Sequence, residues 1–597
     1  MILDRIINPI IAKVNNKFSL LTVIVFIISI QVNFGQEPLK IFQKGKEETL
    51  KGNETHHYQV NLNQGELLQL DILQKNVDIK ILAISKKNDT IQKFDSPSGK
   101  NGLEIVELPI SQSGAYFFKI GPRIPRTYKD SILTNFIKTI NGSYQVQKFE
   151  ILSKNEHNKL ITFRNARKDS VISWIKSASI PLKSVKAETG LKDLSYLKPI
   201  FKDVQVVGLG ETSHGTKEIF QMKHRMLEFL VKEMGFTIFA IEASHVGCRS
   251  INDYVLHGKG NSRDALSAQG FWVWNTEEVI DMIEWMRDYN MKIPEDKKIQ
   301  FIGIDTQTNG LDSAYENVSA FIKKIDNARL SNVKVDSLFH NLKTIKDKKD
   351  MTSQRQELYT LLSYLVVNKI KALEIASRGE YENTISDLRK IIQGVEAGDR
   401  KLQRGISYNI RDEYMAQTVL EVLQKKGREI KMVLWAHNDH ISKNVDSRVN
   451  GYKKPLGSVL KTYFGKKYYA IGFSTFEGSF QARNYSVKND KLGKVASFKL
   501  YPAKEGSLDW YFEKSKKDIF FINFDDKPHS NAVDDFLNKK QKTNNAGANW
   551  TFEYSFSPTQ SIEPEKFFDG MIFIKETSSA VLTPGGEKEI EKRLKNN

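Results

Sequence analysis

Between Glu37 and Leu152 apolar and polar residues alternate in short runs separated by turn residues: HYQVNL over His57–Leu62, LLQLDIL over Leu67–Leu73, then Asp78–Ile84 and Ala115–Ile120. A two-residue period puts one side of a strand on a core and the other in water, so residues 37–152 predict a small all-β sandwich of jelly-roll type. The alternation stops after Leu152, and 153–180 is expected to be a polar connection with a helix over Asp169–Ala178. From residue 181 to 585 the rhythm changes again. Continuous apolar runs of strand length now alternate with amphipathic helical stretches, which is the pattern of βαβ units and a mostly parallel sheet with flanking helices. Residues 586–597 are expected to be a polar tail.

Within that second domain the first strand is expected over Val204–Leu209 (VQVVGL). The helix after it, Lys217–Met234, gathers Ile219, Phe220, Met222, Met226, Leu227, Phe229 and Leu230 at helical spacing. A second strand, Thr237–Ile241, runs into Glu242. Asn275 with Glu278 three residues on has the form of a capping box and starts a helix to Tyr289. Gln300–Ile304 is a third strand ending at Asp305. Residues 312 to about 402 break the alternation: they are charged, helical in period and free of strand signals, so a helical insertion is expected there. Helix Arg411–Gln424 restores the rhythm, followed by strands Ile430–Trp435 and Tyr468–Phe473 and by strand candidates in IFFINF and GMIFIK. The fold class is therefore α/β with a helical insertion, preceded by the β-sandwich.

Composition changes this picture little. The 597 residues, 40% hydrophobic and 27% charged, are those of a folded globular protein of several domains. Lys and Arg number 89 against 71 Asp and Glu, a formal charge of +18, but the basic residues are mostly Lys, scattered along the chain and not interleaved with aromatics, so a nucleic-acid partner is not expected. Arg5, Lys13 and Lys17 precede an apolar run from Phe18 to Val32 with small Gly35 before Gln36, which reads as a signal peptide over 1–36, with an uncleaved anchor as the alternative. The mature protein is then exported, periplasmic or secreted, with no stable membrane span. Cys248 is the single cysteine and forms no internal bridge; it follows a strand candidate and is expected to be buried packing. The sandwich holds no cluster of titratable groups, and a binding or spacer role, such as a glycan or cell-surface contact, is expected for it.

The chemistry lies at the strand ends. In an open α/β sheet ligands bind outside the carboxyl ends of the strands, where loops diverge and helix N-termini offer unpaired N–H groups. Glu211 and His214 follow the first strand, Glu242 and His245 the second, Asp305 the third, and His437, Asp439 and His440 the fourth. Singly, each is most simply a solvated surface group. Jointly they describe a site, with Gly208, Gly210 and Gly215 permitting tight turns beside it. Such a set suits hydrolysis: a histidine takes a proton from water while carboxylates hold its ring and stabilise the imidazolium. His214, three residues from Glu211 in a glycine-flanked turn, is the foremost base. The same Glu211, His214, Glu242, His437 and His440 form the alternative set for a water-activating divalent metal. HNDH lacks the helical HExxH spacing of a standard zinc pair. Ser213 lacks the GxSxG elbow of a serine nucleophile, and Thr212 and Ser213 read as helix caps. A non-catalytic binding protein on the same scaffold is the rival from another class.

The run GLGETSHGTKEIFQMKHRMLEFLVKEMGFTIFAIEAS, followed by INDYVLHGKG, WVWNTEEVIDMIEWMRDYN, FIGIDTQ, RDEYMAQ and WAHNDHI, resembles the erythromycin esterase family over roughly residues 181–583. The N-terminal phrases NQGELLQLDI, ISQSGAYFFKI and NGSYQVQKFEI resemble the pre-peptidase-like β modules of secreted bacterial enzymes. The first resemblance implies hydrolysis of an ester or lactone, in named members the macrolide ring, by water with no required metal. It implies His214 as general base, Glu211, Glu242, His437 and His440 as further catalytic positions, and Arg411 as a site arginine. The expected roles are that Glu211 and Glu242 orient and charge-stabilise the base while His437 with His440 meets the oxyanion. Lys223, Trp274 and Asp305 join Arg411 as expected substrate-binding positions. Lys223 departs from the family pattern, since macrolide-active members carry arginine there, and an ammonium does not reproduce a planar fork. More remotely the family resembles a superfamily that includes metal-dependent proteases and haem-handling proteins.

Overall fold

A computed structural model describes residues 39–596 other than 86–88, 96–99, 125–129, 327–334, 345–350, 400–403, 428, 446–453, 487, 490 and 527–528. The expected signal peptide over 1–36 lies outside the described residues. The chain divides into two compact units, Met1–Phe163 and Arg164–Asn597.

In the first unit, strands β1 (Glu47–Lys51), β2 (His56–Leu62), β3 (Leu67–Lys75), β4 (Ile79–Ile84), β5 (Thr90–Phe94), β6 (Gly102–Pro109), β7 (Gly114–Pro122) and β8 (Asn141–Leu152) form two antiparallel four-stranded sheets, ordered β1-β8-β3-β6 and β2-β7-β4-β5. Alternation carries the packing: in β2, His56, Tyr58, Val60 and Leu62 are buried while Asn61 is exposed. Leu68, Leu70, Ile72, Ile79, Ile81 and Phe118 fill the core, each contributing about 1.5–3 kcal/mol by burial. Buried polar groups in this core are paired: Tyr144 Oη bonds His56 Nδ1 at 2.6 Å and Tyr58 Oη at 2.7 Å.

The stretch expected as a connection is a single 25-residue helix, Lys154–Ala178, which ends at a short strand, β9 (Ile180–Pro181), at the edge of the main sheet. That sheet comprises β10 (Val206–Leu209), β11 (Ile238–Ser244), β12 (Gln300–Asp305), β13 (Met432–Trp435), β14 (Tyr468–Ser486), β15 (Lys491–Leu500), β16 (Ile519–Asn523), β18 (Asn549–Trp550) and β20 (Gly570–Thr577) besides β9, while β17 (Gln541–Asn544) and β19 (Thr559–Ile562) form a separate pair. The order is β12-β11-β13-β10-β14-β20-β16-β9, parallel from β12 to β20 and antiparallel beyond. Both faces are covered, which is why these strands read as unbroken apolar runs. Val207, Leu209, Phe239, Ile241, Val433 and Trp435 join the core on one face, and Val206, Ile238, Ala240, Met432 and Leu434 that on the other.

Helix Lys217–Met234 has the bounds its periodicity predicts and closes on Gly235 in the left-handed conformation, φ 72°, where a side chain would be strained. The insertion is helical, with helices Asp312–Ile325, Val335–Thr344, Thr352–Val367, Lys369–Ile375 and Arg378–Ala397 around their own core of Leu311, Val318, Ile322, Leu358, Leu361 and Leu388. Several local readings are corrected. Thr276, which makes no side-chain capping bond, holds the N-cap position of helix Glu277–Asn290, and Asn275 is held instead by Thr583, whose backbone N–H and hydroxyl both donate to it. Thr216, and neither Thr212 nor Ser213, precedes helix Lys217–Met234. The expected polar tail is helix Pro584–Asn596: proline suits a first helical position, Ile590 is buried, and Arg593 donates to the Gly270 carbonyl. The described helix containing Arg411 starts seven residues earlier than expected, at Arg404, and runs to Lys426.

Candidate active site

Strand order brings the predicted residues together. In the sheet β12, β11, β13 and β10 are successive neighbours, so their carboxyl ends present Asp305, Glu242, His437 and Glu211 side by side at about 4.8 Å per strand. The glycines act by close approach, not by turn geometry: none of Gly208, Gly210 and Gly215 has positive φ. A Cβ at Gly210 would lie 2.1 Å from Asn438 Oδ1, and one at Gly215 2.2 Å from the Gln481 carbonyl.

Around His214, Glu211 is fully buried and its carboxylate is saturated. Oε1 accepts from His214 Nδ1 at 2.7 Å; Oε2 accepts from Lys223 Nζ at 2.7 Å and Trp435 Nε1 at 2.8 Å. Burial pushes the Glu211 carboxyl up, but the Lys223 ammonium and His214 outweigh it and hold it below the usual range. Burial brings Lys223 down to about 8 against the pull of Glu211, and its ammonium sits 4.3 Å from the Trp435 ring. The His214 side chain is 15% exposed, its ring edge-on to Trp274 at 5.4 Å and 4.9 Å from His437. Nδ1 is engaged by Glu211, and among the described residues nothing bonds to Nε2.

A second array surrounds Arg411. Its Nε and Nη2 donate to the two oxygens of Asp305 at 3.0 and 2.7 Å, and Nη2 also reaches Glu242 Oε1 at 2.6 Å. Burial raises the Glu242 carboxyl, yet His440 and Arg411 hold it well below the usual range. His440 lies between two carboxylates, Nδ1 2.8 Å from Asp412 Oδ1 and Nε2 3.2 Å from Glu242 Oε1, with the Tyr408 ring stacked on it at 5.1 Å. Nε2 is also 3.0 Å from Arg411 Nη1. Burial disfavours the imidazolium, but Asp412 and Glu242 prevail and push it up to about 9. His437 is the opposite. Burial pulls it down to about 4 against Asp439, and the neutral ring is fixed by backbone: Nδ1 accepts from Asp439 N–H at 3.3 Å and Nε2–H donates to the Ala546 carbonyl at 3.1 Å. Its own N–H donates to Glu242 Oε2 at 3.0 Å.

The residues expected to touch substrate divide. Arg411, with 16% of its side chain exposed, lines a cavity of ≈ 290 Å³ with Gln307, Thr308, Gly394, Ser407 and Tyr408. Lys223 is fully buried on Glu211. Asp305 is buried and fully engaged, accepting from Arg411, the Thr306 and Gln307 amides and the Gln307 side chain. Trp274 is buried with Nε1 donating to the Glu242 carbonyl at 2.8 Å. These three support other site residues in this structure. His245 is tied to the Gly303 carbonyl at 2.8 Å, and Cys248 is buried, its thiol pushed up by burial. Sequence reasoning missed Asp412, Tyr408, Trp435 and Ala546. Asp412 stands beside Arg411 in RDEYMA, but adjacency on a helix does not place two side chains on one face.

The sequence model described as Erythromycin esterase matches residues 231–577. The chain belongs to the erythromycin esterase family. It is 30% identical to Erythromycin esterase type II of Escherichia coli over 366 residues, 56% of this chain and 84% of that protein. The Putative hydrolase YbfO of Bacillus subtilis (strain 168) is 25% identical over 444 residues, 68% and 91% of the two chains. Among solved structures, a succinoglycan biosynthesis protein aligns with TM-score 0.57 at 25% identity over 70% of this chain and 99% of its own. A variant of the erythromycin esterase EreC in its open conformation aligns with TM-score 0.50 at 17% identity, over 65% and 94%, a likeness of fold.

In this member of the family the donor set does not fit a divalent cation. Lys223 neutralises Glu211, Arg411 and His440 neutralise Glu242, and both ring nitrogens of His437 are spent on backbone. A cation would have to displace an ammonium or a guanidinium to reach either carboxylate.

Proposed function

We propose that the chain hydrolyses a carboxylic ester or lactone with His214 as general base. The observation that carries this reading is the His214 ring, oriented by Glu211 through Nδ1 at 2.7 Å with Nε2 left open. Nε2 takes a proton from water, whose oxygen bonds to the carbonyl carbon. The tetrahedral oxyanion then collapses, breaking the carbon–oxygen bond, and the departing alkoxide takes the proton back from His214. Arg411, the cation that faces the cavity, is assigned to the oxyanion, in place of the role expected for His437 with His440. Electrostatics supports this assignment of the base. The Glu211 carboxylate on Nδ1 stabilises the imidazolium that forms on His214 as the negative charge develops on the carbonyl oxygen, so the pair gains attraction as the reaction proceeds.

Macrolide lactones and other esters are both candidate substrates. The last insertion helix contributes Gly394 to the cavity wall, so the insertion is assigned a lid or substrate-selecting part. Export rests on the basic and apolar N-terminus, and N-terminal sequencing of the mature protein should begin near Gln36. The decisive test is purified, metal-quantified protein on a panel of 4-nitrophenyl esters and macrolides, with and without chelator. His214→Ala should lose roughly 100- to 10,000-fold in rate, and chelator should change nothing. Undiminished hydrolysis by the variant would refute the base, and loss with chelator would restore the metal.

A further inference from the structure

Of the two backbone groups that fix the His437 tautomer, Asp439 N–H lies in its own loop and the shorter contact, the Ala546 carbonyl, comes from a distant segment, so whatever places Ala546 helps to place His437. The Ala546 amide donates to the Thr212 carbonyl, in the turn that carries His214, while its carbonyl accepts from His437 Nε2. Ala546 thus bridges the loops after β10 and β13. It lies two residues beyond the end of β17, and that end is fastened by a carboxylate outside the proposed chemistry. Asp509, 1% exposed, sits in the first turn of helix Leu508–Glu513. Its Oδ1 accepts from Ser474 Oγ on β14 at 2.5 Å and Thr543 Oγ1 at 2.8 Å; its Oδ2 accepts from the Asn544 amide at 2.8 Å. Asn544 Nδ2 in turn donates to the Thr475 carbonyl at 2.8 Å.

We infer that Asp509 is a positioning residue for the hydrolysis proposed above, acting through Asn544 to set the turn whose Ala546 carbonyl holds His437. This rests on the esterase reading for its kinetic consequence, but not for its effect on His437. A buried carboxylate is an expensive way to join a strand to a helix, since an apolar contact needs no desolvation. Burial pushes Asp509 up to about 6 against the pull of Ser474, Asn544 and Thr543, all neutral donors. What the carboxylate provides is direction: it accepts three bonds at fixed angles, two from β17, and β17 leads straight into the site. A shift of about 1 Å at a site can cost on the order of 100-fold in rate.

The test is Asp509→Asn in the full chain. Its amide keeps the shape but only one acceptor oxygen: with that oxygen on the Asn544 N–H, the Ser474 and Thr543 hydroxyls lose the acceptor they donate to, and with the amide reversed the Asn544 N–H meets an NH2. The expected result is a fall in kcat of roughly 10- to 100-fold with KM within about twofold. In 15N-histidine-labelled protein the His437 signal, assigned by its absence from His437→Gln, should lose the single Nε2–H pattern and show both tautomers. Thr543→Val, which removes one donor and keeps the fold, should move both readouts the same way by less. An unchanged His437 pattern in a folded Asp509→Asn protein overturns the proposal, as does a kcat loss matched by the unfolded fraction. Should wild-type protein hydrolyse no ester, the esterase reading fails, and the His437 spectrum still decides whether Asp509 positions it.

Discussion

The half of the site around His214 and the half around His440 are built from the same residue types and leave their histidines in opposite bonding states. His214 meets one carboxylate, Glu211, whose second oxygen is already taken by Lys223, and keeps a nitrogen free. His440 is held between two carboxylates, with both nitrogens occupied and its proton retained to about 9. The difference teaches that the carboxylates and cations around an imidazole decide how many of its nitrogens are taken: two carboxylates hold a charge on His440, while the one carboxylate beside His214 is shared with Lys223. His437 marks the third case. With burial outweighing Asp439, whose carboxylate lies 3.9 Å from Nδ1, it stays neutral.

The comparison can be broken most severely at Glu211. Glu211→Gln leaves the Lys223 ammonium buried with no counterion, and unfolding titrations should show a loss of about 3–5 kcal/mol. Adding Lys223→Met should return most of that stability without returning activity, since His214 still lacks its carboxylate. A double variant as unstable as the single one would mean that the ion pair is not the source.

A milder change sharpens the other half. His440 has a raised folded pKa, so its contribution to stability is complete below the ordinary value near 6.5 and disappears as pH rises through about 9. Wild-type stability from this group should therefore decline between about pH 7 and 9. Asp412→Asn should cost roughly 1.5–3 kcal/mol at neutral pH and move the decline to lower pH. Melting curves across that range would show the shift, and an unmoved curve would contradict the role given to Asp412. The smallest effect on basal chemistry is expected from the insertion. Replacing Ser313–Ala397 by a short loop should alter which esters are accepted while 4-nitrophenyl acetate is cleaved within about tenfold of wild type; an unchanged profile in a folded variant would make the insertion scaffold.

Much of the fold was legible because its cause is local. The period of Ile219, Met222, Met226 and Leu230 marks a helix wherever it lies, and unbroken runs such as VQVVGL and MVLW mark strands covered on both faces. The site was legible as a set, since acids and histidines stood directly after those runs. Its internal wiring was not. Asp412 neighbours Arg411, but adjacent helical residues point about 100° apart, so nothing local indicated that both reach His440. Trp435 was only the last residue of an expected strand, because its indole N–H bond to Glu211 depends on a segment far away in sequence. Lys223 and Asp305 looked like ligand contacts because a charge at a strand end or on a helix does not reveal which partner saturates it.

By itself the sequence determined the two kinds of domain, the helices and strands, and which residue types would crowd the strand ends, all of which follow from periodicity within a dozen residues. Only the tertiary structure decided that β13 lies between β11 and β10, which makes Glu242 and Glu211 flank the His437 loop. It also decided which carboxylate each cation neutralises and which nitrogen of each histidine is free. Strand order and charge pairing depend on contacts between segments hundreds of residues apart, and Coulomb energies in a buried site change steeply with distances of an ångström.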